Sequence, residues 1–108
     1  MVTKKAAKKR AATMHIIANK SYGLYYGRIM KFDPVTGVCV VEGCRHVCQW
    51  FGRTGGITSL AAHGLCGPRA DESRIGAAVA GRSTLTGVVN TFPCSAEARA
   101  TFDAAKAQ

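Results

Sequence analysis

The sequence predicts an α+β fold that is mainly β: a small antiparallel sheet or partly open barrel running as a meander, with one short helix and one C-terminal helix. Three observations lead there. Alternating and β-branched stretches recur from Thr13 to Phe92, separated by turn formers. Helical spacing is confined to two places, one after Ile57 and one after Ser95. The length of 108 residues, 47% apolar and 19% charged, suits a single modest core once a polar tail is set aside. The domain reading is a basic N-terminal arm over 1–12 and one small β-rich domain over 13–108.

The elements follow in chain order. Thr13 to Asn19 alternates and is bounded by Asn19, Lys20 and Ser21, which reads as a first strand. Tyr22 to Phe32 is rich in aromatic and branched residues, and Gly23 and Gly27 within it mark a bulge or a close backbone approach. Asp33-Pro34-Val35-Thr36-Gly37 is a hairpin turn: Pro34 presets φ, Asp33 can cap the turn and Gly37 can take a positive φ. Val38 to Glu42 reads as a short buried strand, interrupted by Gly43, and Arg45 to Phe51 as a further strand before the loop from Gly52 to Gly56. Ile57, Leu60 and Ala61 fall on one helical side, with Gly64 placed to stop the helix. Cys66 to Ser73 reads as an exposed loop, and the apolar run from Ile75 to Val79 fits no single element. Thr84 to Phe92 reads as one more strand stopped by Pro93. Ser95 then serves as N-cap, Glu97 faces the positive helix end, Ala98 to Ala107 is strong helix former, and Phe102 pins that helix to the sheet.

Charge is concentrated at one end. Of 15 basic residues, Lys4, Lys5, Lys8, Lys9 and Arg10 precede the first acid, so most of the formal +9 belongs to the arm. Such a run suits phosphate backbones, acidic protein surfaces or anionic lipid heads. The arm lacks the large apolar residues of a membrane anchor, no apolar run nears the ~20 residues of a span, and no signal-peptide core follows the basic start. The expectation is synthesis in the cytoplasm of the producing cell and no membrane partner.

Three segments resemble a family of small tailed-bacteriophage proteins that has no assigned function. They are Cys44-Arg45-His46-Val47-Cys48-Gln49-Trp50-Phe51-Gly52, Leu60-Ala61-Ala62-His63-Gly64-Leu65 and Phe92-Pro93-Cys94-Ser95-Ala96-Glu97-Ala98. The family pattern is a basic pair leading into W-x-W-x-G, a short helix ending in glycine, and a late strand running into I-P-C-[ST]-x-E-A. The order and approximate spacing agree from Tyr22 to Phe102. Cys48 stands at the place of the first tryptophan and His46 at that of the second basic residue. The loop around Thr54 to Gly56 is one residue longer, and the arm lies outside the resemblance. The resemblance implies phage origin.

Five cysteines are many for this length, and Cys44, His46, Cys48, His63 and Cys66 fall within 23 positions. A zinc site at Cys44, Cys48, His63 and Cys66 is the minor reading. The spacings nominally fit, but on a strand Cys44 and Cys48 would stand about 13 Å apart at roughly 3.3 Å per residue. Buried structural thiols are the leading reading, and disulfide formation stands between the two, with Cys66 beside Gly67-Pro68 as the candidate intermolecular bridge. No cofactor, metal or small-molecule substrate is expected. No nucleophile signature surrounds the cysteines, and Gly52-Arg53-Thr54-Gly55-Gly56 matches neither phosphate-loop pattern.

Charge and stacking surfaces remain: the arm, Arg45 and Arg53 near Trp50 and Phe51, and Tyr22, Tyr25 and Tyr26. The resulting expectation is a non-enzymatic virion accessory protein of the cement or decoration type. It would bind capsid or neck proteins, or copies of itself, through Lys4, Lys5, Lys8, Lys9, Arg10, Arg45, Trp50 and Arg53. The alternative is a nucleic-acid-binding or host-takeover protein expressed early in infection.

Overall fold

The computed structural model describes residues 13–21, 23–52 and 56–107. The calls on Lys4, Lys5, Lys8, Lys9, Arg10, Tyr22 and Arg53 lie outside the described residues.

The sequence turns become hairpins. β1 (His15–Asn19) and β2 (Gly23–Asp33) pair antiparallel, and the connection is held by the Ser21 amide donating to Asn19 Oδ1 at 2.8 Å. β2 passes to β3 (Val38–Gln49) through the expected turn. There the Gly37 amide donates to the Asp33 carbonyl at 2.8 Å and the Val35 amide to Asp33 Oδ1 at 2.9 Å, with Gly37 at φ 75°. Hydrogen bonds to the carboxylate, the Val35 amide's first and then those from Thr36, hold the Asp33 carboxyl below the usual carboxylate range.

Two strand boundaries differ from the sequence reading. Gly43 does not end a strand: β3 runs unbroken from Val38 to Gln49, and Gly43, at φ 64°, sits in a bulge. Tyr26 pairs with Arg45 but Arg28 with Glu42, so the single residue Gly27 opposes both Gly43 and Cys44. The extra residue switches the alternation. Cys39 and Val41 before it share a core with Cys44 after it, while Val47 joins the opposite core. Gly27 answers the bulge by close approach, since a Cβ there would lie 2.4 Å from Val41 Cγ1.

The stretch from Thr84 to Phe92 is likewise not one strand. It breaks at Gly87, φ 70°, into β5 (Arg82–Leu85) and β6 (Val88–Pro93). β5 pairs with β3 and β6 with β1, so the chain changes neighbours at the break. Arg74–Ile75, from the ambiguous region, forms the two-residue β4 against the end of β3.

The sheet has six strands in the order β4-β3-β2-β1-β6, with β5 attached to β3, and it remains open. Because the kinked β5–β6 segment returns to both ends of the meander, the sheet curls around a core of Ile17, Cys39, Val41, Cys44 and Val88. The other face carries two helices, α1 (Ile57–His63) and α2 (Ala96–Ala104). Ile16, Tyr26, Val47, Leu60, Ala61, Ile75 and Phe102 fill that interface. Ile16 and Ile17, adjacent and pointing to opposite faces, are both fully buried, so β1 anchors both cores.

Two helix ends follow their sequence signals, whereas α2 stops at Ala104, short of Ala107, which instead bridges Ile75. Ser95 Oγ accepts the Ala98 amide at 3.0 Å, and Gly64, at φ 73°, closes α1 with its amide on the Leu60 carbonyl at 2.7 Å. α2 crosses directly over Gly64, where a Cβ would stand 2.8 Å from the Ala98 Cα. Phe102 pins α2 as expected: it is fully buried and stacks on Tyr26 at a centroid distance of 4.5 Å.

Candidate interaction surface

Acidic and basic side chains are used unequally in this fold. Glu42 is bound by Arg28, Glu72 by Arg69 at 2.9 Å, Asp103 by Arg99 at 3.3 Å, and Glu97 lies 3.5 Å from His63. Asp33 is spent in its turn. Among the described residues, Lys20, Lys31, Arg74, Arg82 and Lys106 form no ion pair, and Asp71 is the corresponding acid. The surplus on the domain itself is therefore basic, in addition to the cations of the arm.

Among the described residues the most exposed large apolar side chain is Val35, at 92%, on the tip of the β2–β3 hairpin, and Val89 on β6 is 54% exposed. Both line one cleft of about 400 Å³ with Phe32, Pro34 and Val88, and Lys20 stands beside them. The cleft is pre-formed. The Val88 amide donates to the Gly37 carbonyl at 3.0 Å and the Lys20 amide to the Gly87 carbonyl at 2.9 Å, tying the hairpin tip and the β1–β2 turn to the start of β6. The arrangement sets exposed valines among open polar backbone with a cation beside them, which suits an apolar side chain flanked by carboxylates. Sequence reasoning missed this cleft, although Pro34-Val35 at a hairpin tip was a readable signal: an apolar residue where a turn would ordinarily be polar.

The residues singled out from the sequence are dispersed. Arg45 does not face outward. It is 9% exposed, and its guanidinium donates to the carbonyls of Gly76 at 2.7 Å, Phe102 at 2.7 Å and Ala105 at 2.8 Å. That corrects its placement among partner-contacting residues. Trp50 is half-buried against the helix-side core. Tyr26 is a core residue whose hydroxyl donates to Asp103 Oδ1 at 2.8 Å, and burial raises its phenol out of the titrating range. Tyr25 stacks on His46 at 5.0 Å.

The cysteines also separate. Cys39 and Cys44 are sealed in the curled core, where burial raises both thiols, and burial pushes Cys94 up to about 11. Cys66 is half-buried and Cys48 is exposed. The structure does not bring Cys44, Cys48, His63 and Cys66 together. Among the described residues no group of three or more His, Cys, Asp or Glu side chains could hold a metal ion. Among them, too, no helix is long and apolar enough to cross a membrane.

Comparison of the chain with family models, with curated proteins and with solved structures returns no match.

Proposed function

We propose that this chain is a phage-encoded, non-enzymatic binding module of the virion, docking on capsid or neck proteins while its basic arm contacts neighbouring subunits. The observation that carries the reading is the cleft between the hairpin tip and β6. Val35 and Val89 expose apolar surface there, with Lys20 beside them. A protein surface rewards that combination: apolar contact gives burial, and the surplus cations steer an acidic partner into place. A second copy is a poorer fit, since it would bring like charge against like across the same patch. The phage resemblance of Cys44 to Gly52 and Phe92 to Ala98 supports the source and adds nothing about the partner.

The net positive charge also favours a second reading, binding to nucleic acid through the arm in an early-expressed protein. Phosphate needs cations but gains little from exposed valines, so the cleft weighs for protein. Mass spectrometry of purified, nuclease-treated particles tests the choice. Stoichiometric presence is expected, and abundance in infected cells with absence from particles would overturn the virion reading.

A further inference from the structure

We infer that Cys48 is a modification site on this protein: a surface thiol, with His46 as its proton acceptor, that exchanges with a low-molecular-weight disulfide. The Gly43 bulge decides which face the pair occupies. Cys44, His46 and Cys48 share a face by strand alternation, the bulge turns that face to the side of Cys39 and Val41, and the curled core covers Cys44 but ends before His46. His46 and Cys48 therefore share a face that opens to solvent.

The geometry suits proton transfer. Cys48 Sγ lies 3.4 Å from His46 Nδ1, within reach of a sulfur hydrogen bond, and the thiol can also donate to the His46 carbonyl at 3.7 Å. The imidazole is positioned rather than loose. The Tyr25 ring stacks on it with an interplanar angle of 29°, and the Gly76 amide holds the His46 carbonyl at 2.8 Å. Reactive cysteines combine exposure with a neighbouring base, and Cys48 meets both conditions. The other thiols do not compete. Cys39 and Cys44 are buried, Cys94 is held protonated, and Cys66 is half-buried.

In the exchange, His46 takes the thiol proton and the Cys48 sulfur attacks one sulfur of R–S–S–R. That S–S bond breaks as the Cys48–S–S–R bond forms. The departing RS⁻ takes the proton from His46 and leaves as RSH, so Cys48 is oxidised and the leaving sulfur reduced. The sequence singled out Cys66 as the candidate intermolecular bridge; the exposed thiol beside an imidazole is Cys48.

The test uses the full chain and the uncharged probe 4,4′-dithiodipyridine, whose released thiopyridone is followed by absorbance. One thiol per native chain should react in a fast phase, with the rest following slowly, and all five should react after denaturation. Peptide mapping should place the fast label on Cys48, and Cys48→Ser should abolish that phase without moving the melting temperature. His46→Asn should slow it by about tenfold, less than the ~100-fold of a positioned base in an enclosed site, because water competes here. The rate–pH curve should also change shape in that variant. A fast phase mapping to Cys66, or identical rate–pH curves for the wild type and a folded His46→Asn, would overturn the inference.

Discussion

The Arg45 guanidinium donates to the carbonyl oxygen of Phe102 at 2.7 Å, fastening the middle of β3 to the last turn of α2. Its other two nitrogens reach the carbonyls of Gly76 and Ala105. One side chain thus joins β3, the segment after β4 and the end of α2, whose carbonyls carry partial negative charge. Replacement by Met should cost about 3 kcal/mol, since three charge-assisted bonds are lost and the Gly76 and Ala105 carbonyls lose their guanidinium donors, while the Phe102 carbonyl keeps the Ala105 amide at 3.2 Å. Arg45→Lys should recover less than half of this, having no fork to span three acceptors. Urea unfolding measures the loss, and a change near zero would contradict the role.

Gly27 and Val41 should show strong coupling. Gly27→Ala puts a methyl 2.4 Å from Val41 Cγ1, an overlap that costs about 2 kcal/mol when a packed core must shift. Val41→Ala alone opens space. The double variant should therefore cost less than the sum of the two, with a coupling above about 0.5 kcal/mol in a double-mutant cycle. Relief should be incomplete, because the Cys44 Cα and the Glu42 carbonyl also stand 3.3 Å away.

His15 gives the fold an acid-side sensitivity. Burial lowers its pKa from the ordinary 6.5, against the opposing effect of a backbone bond at Thr13, and its Nδ1 is buried without a hydrogen-bond partner. The folded chain then binds this proton less tightly than the unfolded chain. Its stabilising effect is fully present above the unfolded value and declines as pH falls below about 6.5 towards the lowered folded value. Melting temperature measured from pH 8 to pH 5 should drop at the acid end, and His15→Gln should flatten that drop. An unchanged slope in the variant would count against it.

Local signals in the sequence carried much of this fold. The Asp33 to Gly37 turn, the Ser95 cap, the Gly64 stop and the burial of Phe102 each follow from chemistry within a few residues. What stayed hidden depended on partners distant in sequence. Gly43 reads as an interruption because only its pairing opposite Gly27 makes it a bulge. That one extra residue then decides that Arg45 turns inward to α2 while His46 and Cys48 turn outward. Gly87 was passed over inside a β-branched run because the switch from β3 to β1 is a tertiary event. The cleft joins Lys20, Val35 and Val89, three segments that no local window contains.

The central claim is that the β domain fixes the docking position on an acidic protein surface while the arm adds affinity electrostatically. Lysines gain attraction at long range but lose side-chain entropy on docking and are screened beyond about 8 Å in physiological salt, so the arm alone should bind weakly. The most direct measurement is a binding titration over a series of salt concentrations. It uses the intact chain and a chain lacking Met1 to Ala12, against particles devoid of the protein and against double-stranded DNA. The expected result is saturable, stoichiometric binding to particles, weaker and less salt-dependent after the arm is removed. Tight, saturable binding to DNA with a steep log–log salt slope, and none to particles, would contradict the claim.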